Sequence, residues 1–76
     1  MRTNRNITYE IKKHIGVISE KGNGWKKELN VVVWNEGEPK WDIREWNEDH
    51  TRMGKGMTLN DEEAKALCEL FGKTFS

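Results

Sequence analysis

Tryptophans and cationic side chains are interleaved in the middle of the sequence. All four tryptophans lie between positions 25 and 46, with lysines and an arginine beside or between them. Single-stranded nucleic acid is bound by this combination, because unpaired bases stack on indole rings at about 1 to 3 kcal/mol each while Lys and Arg contact phosphates. The alternative is that the tryptophans fill a core and the lysines cover sheet edges. The candidate nucleic-acid-binding residues are Trp25, Lys26, Lys27, Trp34, Lys40, Arg44, Trp46 and Lys55.

Signatures of catalysis and of metal binding are weak. Asp49-His50 has no Ser or Cys in a nucleophile motif to act on, so His50 is expected to be a solvated loop residue. Gly54-Lys55-Gly56 has a glycine where a phosphate-binding loop needs Ser or Thr. One cysteine and two histidines form no zinc-binding cluster. The sequence therefore predicts that the protein is not an enzyme and that it binds no metal ion, cofactor or small-molecule substrate.

Length and charge limit the class of protein. A chain of 76 residues fits one domain, predicted over residues 1–76 with a flexible segment at 1–6. Domains this small bury only about 60% of their unfolded surface, so association between copies is the expected supplement. The 13 basic and 13 acidic residues cancel, so a binding surface must come from the arrangement of charges. The absence of an apolar run of signal-peptide or membrane-spanning length predicts a cytoplasmic protein without membrane contact.

The candidate residues fall on alternating apolar and polar segments that predict a β-sheet. The predicted strands cover residues 7–17, 25–34, 40–47 and 57–58. The first strand has its apolar residues at odd positions, with one exception at Lys13, and is expected to be buried on that face. Turn residues occupy 21–24 and 35–39, and 48–56 is predicted to be a polar loop. We therefore expect an antiparallel four-stranded sheet.

Alternation in the third strand assigns its side chains to two faces. Trp41 and Ile43 share one face, which is predicted to be the core. The other face carries Lys40, Asp42, Arg44 and Trp46. Trp46, together with Trp34 at the end of the second strand, is therefore predicted to be exposed beside a groove. Truncation of Trp41 is expected to destabilise the fold, whereas truncation of Trp46 or Trp34 is expected to leave it nearly intact.

A helix is predicted from position 61 onward. Asn60 is a good N-cap, Glu63 completes a capping box, and Leu59 can pack against Ala64 as a hydrophobic staple. Apolar residues then recur at helical spacing along one stripe, namely Ala64, Leu67, Cys68, Phe71 and Phe75, with Leu70 beside them. A homodimer interface is predicted at Leu67, Leu70, Phe71 and Phe75.

Two sequence runs resemble the C-terminal domain of eukaryotic transcriptional positive cofactor four. They are Asp42-Ile43-Arg44-Glu45-Trp46 and Gly54-Lys55-Gly56-Met57-Thr58-Leu59-Asn60. The short bacterial relatives of that domain are more similar still, because they also carry the runs Lys27-Glu28-Leu29-Asn30, Trp34-Asn35 and Glu38-Pro39-Lys40. The resemblance extends from about Tyr9 to Phe71, which is nearly the whole chain.

The resemblance implies a homodimer whose helices pack together and whose curved sheets form grooves for single-stranded DNA. Lys26, Arg44 and Lys55 fall at basic positions of the family pattern, and Trp46 stands at an aromatic position. Four residues depart from the eukaryotic pattern: Glu36 and Glu38 replace basic residues, and Asn35 and Asn47 replace aromatic ones. These departures shift the predicted stacking to Trp34 and Trp46.

Together these observations predict an α+β fold, a curved four-stranded antiparallel sheet followed by one C-terminal helix, in a dimer. The predicted function is binding of single-stranded DNA or RNA with little sequence preference, in support of transcription or DNA maintenance. The alternative is a dimeric protein-interaction module that contacts transcription machinery through the sheet. An enzyme is a third alternative, for which no catalytic constellation is found.

Overall fold

The computed structural model describes residues 7–75, which form four strands and one helix. The elements are β1 Tyr9–Glu20, β2 Lys26–Trp34, β3 Pro39–Trp46, β4 Met53–Leu59 and α1 Asp61–Phe75. The strands form one sheet in the order β1-β2-β3-β4, and every neighbouring pair is antiparallel. The predicted antiparallel sheet with a C-terminal helix is therefore confirmed. The predicted flexibility of residues 1–6 lies outside the described residues.

β1 is an irregular edge strand. Its register against β2 shifts between Ile11 and Lys13, between His14 and Gly16, and between Val17 and Ser19. Each extra residue interrupts the two-residue alternation and bends the strand. The prediction that β1 is buried on its odd-numbered face is therefore wrong, since Lys13, Ile15 and Val17 are all exposed.

β4 is longer than the sequence pattern indicates. Residues 53–56, predicted to belong to a loop, pair with β3 as part of the strand. Glycine usually weakens a strand, but it often occurs where another part of the backbone approaches closely. Gly56 is such a position. A Cβ atom at this position would lie 2.1 Å from the Cβ of Arg44, its partner in the register. Glycine is thus required here because the two strands approach so closely.

The turn between β2 and β3 is a tight hairpin turn. Asn35 and Glu36 both have positive φ, and the Gly37 amide donates to the Trp34 carbonyl oxygen over 2.9 Å. Positive φ at both central residues defines a type I′ turn, whose twist matches that of the flanking strands. The turn fixes Trp34 at the end of β2, where its side chain contributes to the groove described below.

The predicted N-terminal cap of α1 is confirmed. The Asn60 amide donates to Glu63 Oε1 over 2.9 Å, and the Glu63 amide donates back to Asn60 Oδ1 over 2.8 Å. The helix covers one side of the sheet, called here the helix face, where an apolar cleft of about 520 Å³ separates it from the strands. The sheet residues that line this cleft include Leu29, Trp41, Ile43 and Leu59.

Trp41 lies on the helix face, as predicted, but its side chain is only partly buried. Its indole Nε1 donates to Asp61 Oδ1 over 2.8 Å, which ties β3 to the first turn of α1. No residue of α1 is buried. A single copy of the chain therefore leaves much of its apolar helix face exposed to solvent.

The fully buried side chains lie on the opposite side of the sheet, called here the groove face. The register places Asn30 beside Asp42, and Lys26 beside Trp46, on this side. Trp46, Val32, Asn30 and Asp42 are all completely buried. The prediction that Trp46 is exposed is wrong, because residues 47–52 fold back and cover its ring. The rings of Tyr9 and His50 lie 5.3 and 5.5 Å from the Trp46 ring.

Candidate nucleic-acid-binding groove

An open groove of about 670 Å³ runs across one end of the groove face. It combines two aromatic rings with two cations on neighbouring strands, a combination that suits nucleic acid. Its lining residues are Ile7, Tyr9, Trp34, Asn35, Lys40, Arg44, Met53 and Thr58. The structure thus brings together three residues predicted from the sequence, Trp34, Lys40 and Arg44.

Tyr9 is a lining residue that sequence reasoning missed. The alternation in the sequence predicts that Tyr9 lies on the buried face of the first strand, but the register of β1 on β2 places it directly beside Trp34. The two ring centroids are 5.9 Å apart with an interplanar angle of 46°. The sequence could have indicated this role only through the register of the β1–β2 hairpin, which pairs the first residue of β1 with the last residue of β2.

Arg44 is held in place from several sides. Its Nε donates to Asp42 Oδ1 over 2.8 Å, and Nη1 donates to the Gly54 carbonyl oxygen over 3.4 Å. The Cζ atom lies 4.7 Å from the centroid of the Trp34 ring, a cation–π contact. Only 15% of the side chain is exposed. The guanidinium group is therefore a fixed part of the groove wall.

The remaining predicted residues do not gather in this groove. Lys26 lies on the groove face, but beside Trp46 at the far end of β2. Trp25 and Lys27 belong to the helix face, because Lys27 pairs with Glu45 and the Trp25 ring lies next to Gly54 and Glu45. Lys55 is exposed on β4. Trp46, being buried, has no face open to a base.

A polar network anchors residues 47–52 to the sheet. His50 Nε2 lies 2.9 and 3.1 Å from the two carboxylate oxygens of the buried Glu28. Asn30 Nδ2 donates to Glu28 Oε1 over 3.0 Å, and His14 Nδ1 lies 2.7 Å from Asn30 Oδ1. The Tyr9 hydroxyl donates to the His50 carbonyl oxygen over 2.6 Å. His50, predicted to be a solvated loop residue, instead connects the covering loop to the sheet.

The network makes stability depend on the ionisation of Glu28. Burial raises the pKa of its carboxyl group, but hydrogen bonds from Asn30 and His50 and the charges of His50 and His14 outweigh burial, so the pKa is lowered from 4.5. A carboxyl group whose folded pKa is depressed contributes stability above its unfolded pKa, and this contribution is lost as pH falls through the folded pKa. We therefore expect the free energy of unfolding to decrease as the pH is lowered below about 4.5.

Urea unfolding across this acid range tests the role of Glu28. Glu28→Gln is expected to remove part of the pH dependence, because glutamine does not titrate. Glu10→Gln on exposed β1 is the matched control and should retain the profile of the wild type. Identical pH profiles for Glu28→Gln and the wild type would contradict the prediction.

Residues 7–75 contain neither a cluster of potential metal ligands nor a helix that could span a membrane. No three His, Cys, Asp or Glu side chains are placed there to hold a metal ion. Within the same range, no helix has both the length and the apolar character needed to cross a membrane.

The chain is similar to known proteins at the level of sequence. Residues 21–70 match the family model described as Transcriptional Coactivator p15 (PC4). The chain is also 43% identical over 67 residues to an uncharacterized protein of Treponema pallidum (strain Nichols), an alignment that covers 88% of this chain and 79% of that protein. The family match includes β2, β3, β4 and most of α1. It contains the groove residues Trp34, Lys40 and Arg44, whereas Tyr9 lies before it.

Proposed function

Because the chain belongs to the transcriptional coactivator p15 (PC4) family, we propose that it binds single-stranded DNA or RNA as a homodimer, with little sequence preference. The family is one of non-enzymatic binding domains, and membership in it suggests single-stranded nucleic-acid binding. The observation that carries the proposal is the meeting of Trp34, Lys40 and Arg44 in one groove. Support of transcription or DNA maintenance in the cytoplasm is the cellular role that we propose with it.

The groove suits a single strand better than a duplex. Trp34 and Tyr9 offer rings on which an unpaired base can stack, whereas the bases of a duplex are already stacked on each other. Every base has a π-face, so stacking discriminates little between sequences. Lys40 is exposed at the groove and can contact the phosphates on either side of a stacked base.

We assign the binding role to a smaller set of residues than the sequence indicates. The proposed contacts are Tyr9, Trp34, Lys40 and Arg44, with Lys26 and Lys55 extending the cationic track. Trp25 and Lys27 are left out because they lie on the helix face, and Trp46 is left out because it is buried.

The homodimer is proposed from the uncovered apolar surface of α1. Leu70, Phe71 and Phe75 are 59%, 53% and 81% exposed. Phe71 also lines the apolar cleft between α1 and the sheet, as does Leu67. An apolar surface of this kind on a small domain usually marks an interface. A second copy of the chain would cover the same stripe on both partners by two-fold symmetry.

Affinity for a fluorescently labelled single-stranded oligonucleotide, measured over a range of salt concentrations, tests the proposal. The logarithm of affinity should fall linearly with the logarithm of salt, and Lys40→Gln should reduce the slope by about 0.7, the contribution of one phosphate contact on a single strand. Lys27→Gln is the matched control, which loses the same charge on the helix face and should keep the wild-type slope.

Three results would count against the proposal. Affinity that does not respond to salt would contradict the phosphate contacts, and equal losses in Lys40→Gln and Lys27→Gln would contradict their placement in the groove. A folded dimer that binds neither DNA nor RNA would favour the alternative function, a protein-interaction module.

A further inference from the structure

Arg44 has more partners than a cation needs to attract a phosphate. Asp42 Oδ1 accepts from its Nε over 2.8 Å, and the Gly54 carbonyl oxygen and Met53 Sδ accept from Nη1 over 3.4 and 3.8 Å. Its Cζ lies over the Trp34 ring, 4.7 Å from the centroid. Nη2 makes no hydrogen bond within residues 7–75. The group is thus fixed in orientation, and 15% of the side chain is exposed to the groove.

Asp42 is an unexpected partner in a groove for a polyanion. Its carboxylate is completely buried in β3, between Asn30 of β2 and Thr58 of β4, and its Oδ2 has no hydrogen-bond partner. Removing a carboxylate from water is costly, and a largely buried ion pair contributes little net stability. The negative charge also cancels the charge of Arg44, which weakens attraction to phosphate. Neither a gain in stability nor attraction to phosphate therefore explains why a carboxylate lies beside Arg44 at position 42.

The backbone around Arg44 is constrained as well. Gly56 lies opposite Arg44 in the register, where a Cβ atom would come within 2.1 Å of the Arg44 Cβ. A side chain at position 56 would push β4 away from Arg44, and the Gly54 carbonyl oxygen belongs to the same strand. The close strand approach and the Asp42 carboxylate thus act on the same side chain.

We propose that Asp42 is a positioning residue that holds the Arg44 guanidinium over the Trp34 ring, so that the two groups form one preformed surface for a nucleic-acid base. Arg44 then contributes orientation and planarity, with little net charge. Fixing a planar group before binding raises affinity because its rotamer entropy is not lost on binding. This inference rests on the proposed function of the groove.

The test is whether Asp42→Leu strengthens or weakens binding of a single-stranded oligonucleotide. Leucine is similar in shape to aspartate but accepts no hydrogen bond. If only charge mattered, loss of a negative charge beside the groove would strengthen binding to a single-stranded oligonucleotide. Positioning predicts the opposite, a loss of about tenfold, the size expected for one charge-assisted hydrogen bond. Glu38→Gln is the matched control: it removes a negative charge from the adjacent turn and should bind at least as tightly as the wild type.

A double-mutant cycle with Arg44→Gln identifies the side chain through which Asp42 acts. Asp42→Leu should cause no further loss of affinity in the Arg44→Gln background. Arg44→Lys keeps the charge but lacks the planar fork, and it should lose affinity nearly as much as Arg44→Gln. If Asp42→Leu does not fold, as judged by thermal melting, Arg44→Lys still tests the inference, because wild-type affinity in this variant would show that a fixed planar group is not needed.

The outcomes separate the inference from the proposed function. Wild-type affinity in Asp42→Leu or Arg44→Lys, or additive losses in the cycle, would overturn the positioning role while leaving the groove intact. Wild-type affinity in Arg44→Gln, or no oligonucleotide binding by the wild type, would overturn the proposed groove itself.

Discussion

Truncation of Trp46 to alanine is expected to lower the free energy of unfolding by about 3 to 5 kcal/mol, as removal of large buried aromatic side chains does. The Trp46 side chain is completely buried, and its ring packs between those of Tyr9 and His50. Its loss would leave a cavity that the sheet cannot close, because β3 is a central strand held on both sides. The covering segment 47–52 would also lose the contact between the His50 and Trp46 rings.

Urea unfolding monitored by circular dichroism gives the measurement. Trp25→Ala is the matched control, since the Trp25 side chain is only partly buried and lies immediately before β2. It should cost clearly less stability than Trp46→Ala. A Trp46→Ala variant that unfolds at the wild-type urea concentration would contradict the prediction and would return Trp46 to the candidate stacking residues.

Introduction of a charge at Phe71 is expected to abolish the proposed homodimer. Phe71 lies at the middle of the exposed stripe of α1, and its ring stacks on Phe75 with centroids 5.9 Å apart. A buried, unpaired carboxylate in a two-fold interface is placed in both copies at once and is strongly unfavourable. Phe71→Glu should therefore be monomeric, or unfolded if the small core depends on association.

Sedimentation equilibrium at micromolar concentration distinguishes these states. Ala66→Glu is the matched control, because it adds the same charge to α1 at an exposed position that does not line the apolar cleft. It should remain dimeric. A folded monomeric wild type would contradict the homodimer, and a dimeric Phe71→Glu would place the interface on another surface.

Local patterns predicted the elements that depend on neighbouring residues. The capping box at Asn60 and Glu63 forms as the spacing indicates, because both partners lie within one helical turn. Alternation in β3 correctly separates Trp41 from Trp46, because the period of two is a property of any extended strand. The family resemblance is likewise confirmed for residues 21–70.

Exposure depends on residues far apart in sequence, and there the predictions failed. Alternation gives the face on which Trp46 lies but not whether a loop covers that face. The covering loop is anchored by His50 on Glu28, a contact across 22 positions, and by Tyr9 across 41 positions. The sequence pattern likewise does not predict that Tyr9 lines the groove, because only the register of β1 on β2 places it beside Trp34.

The irregular register of β1 has a consequence for how the protein behaves at high concentration. An edge strand with an unbroken row of free amide and carbonyl groups can recruit a strand from another molecule and seed aggregation. β1 carries the exposed apolar residues Ile15, Val17 and Ile18, which would favour such recruitment. Its three register shifts interrupt the row every few residues, so an incoming strand cannot pair along its length. The bulges thus oppose growth of the sheet through the β1 edge.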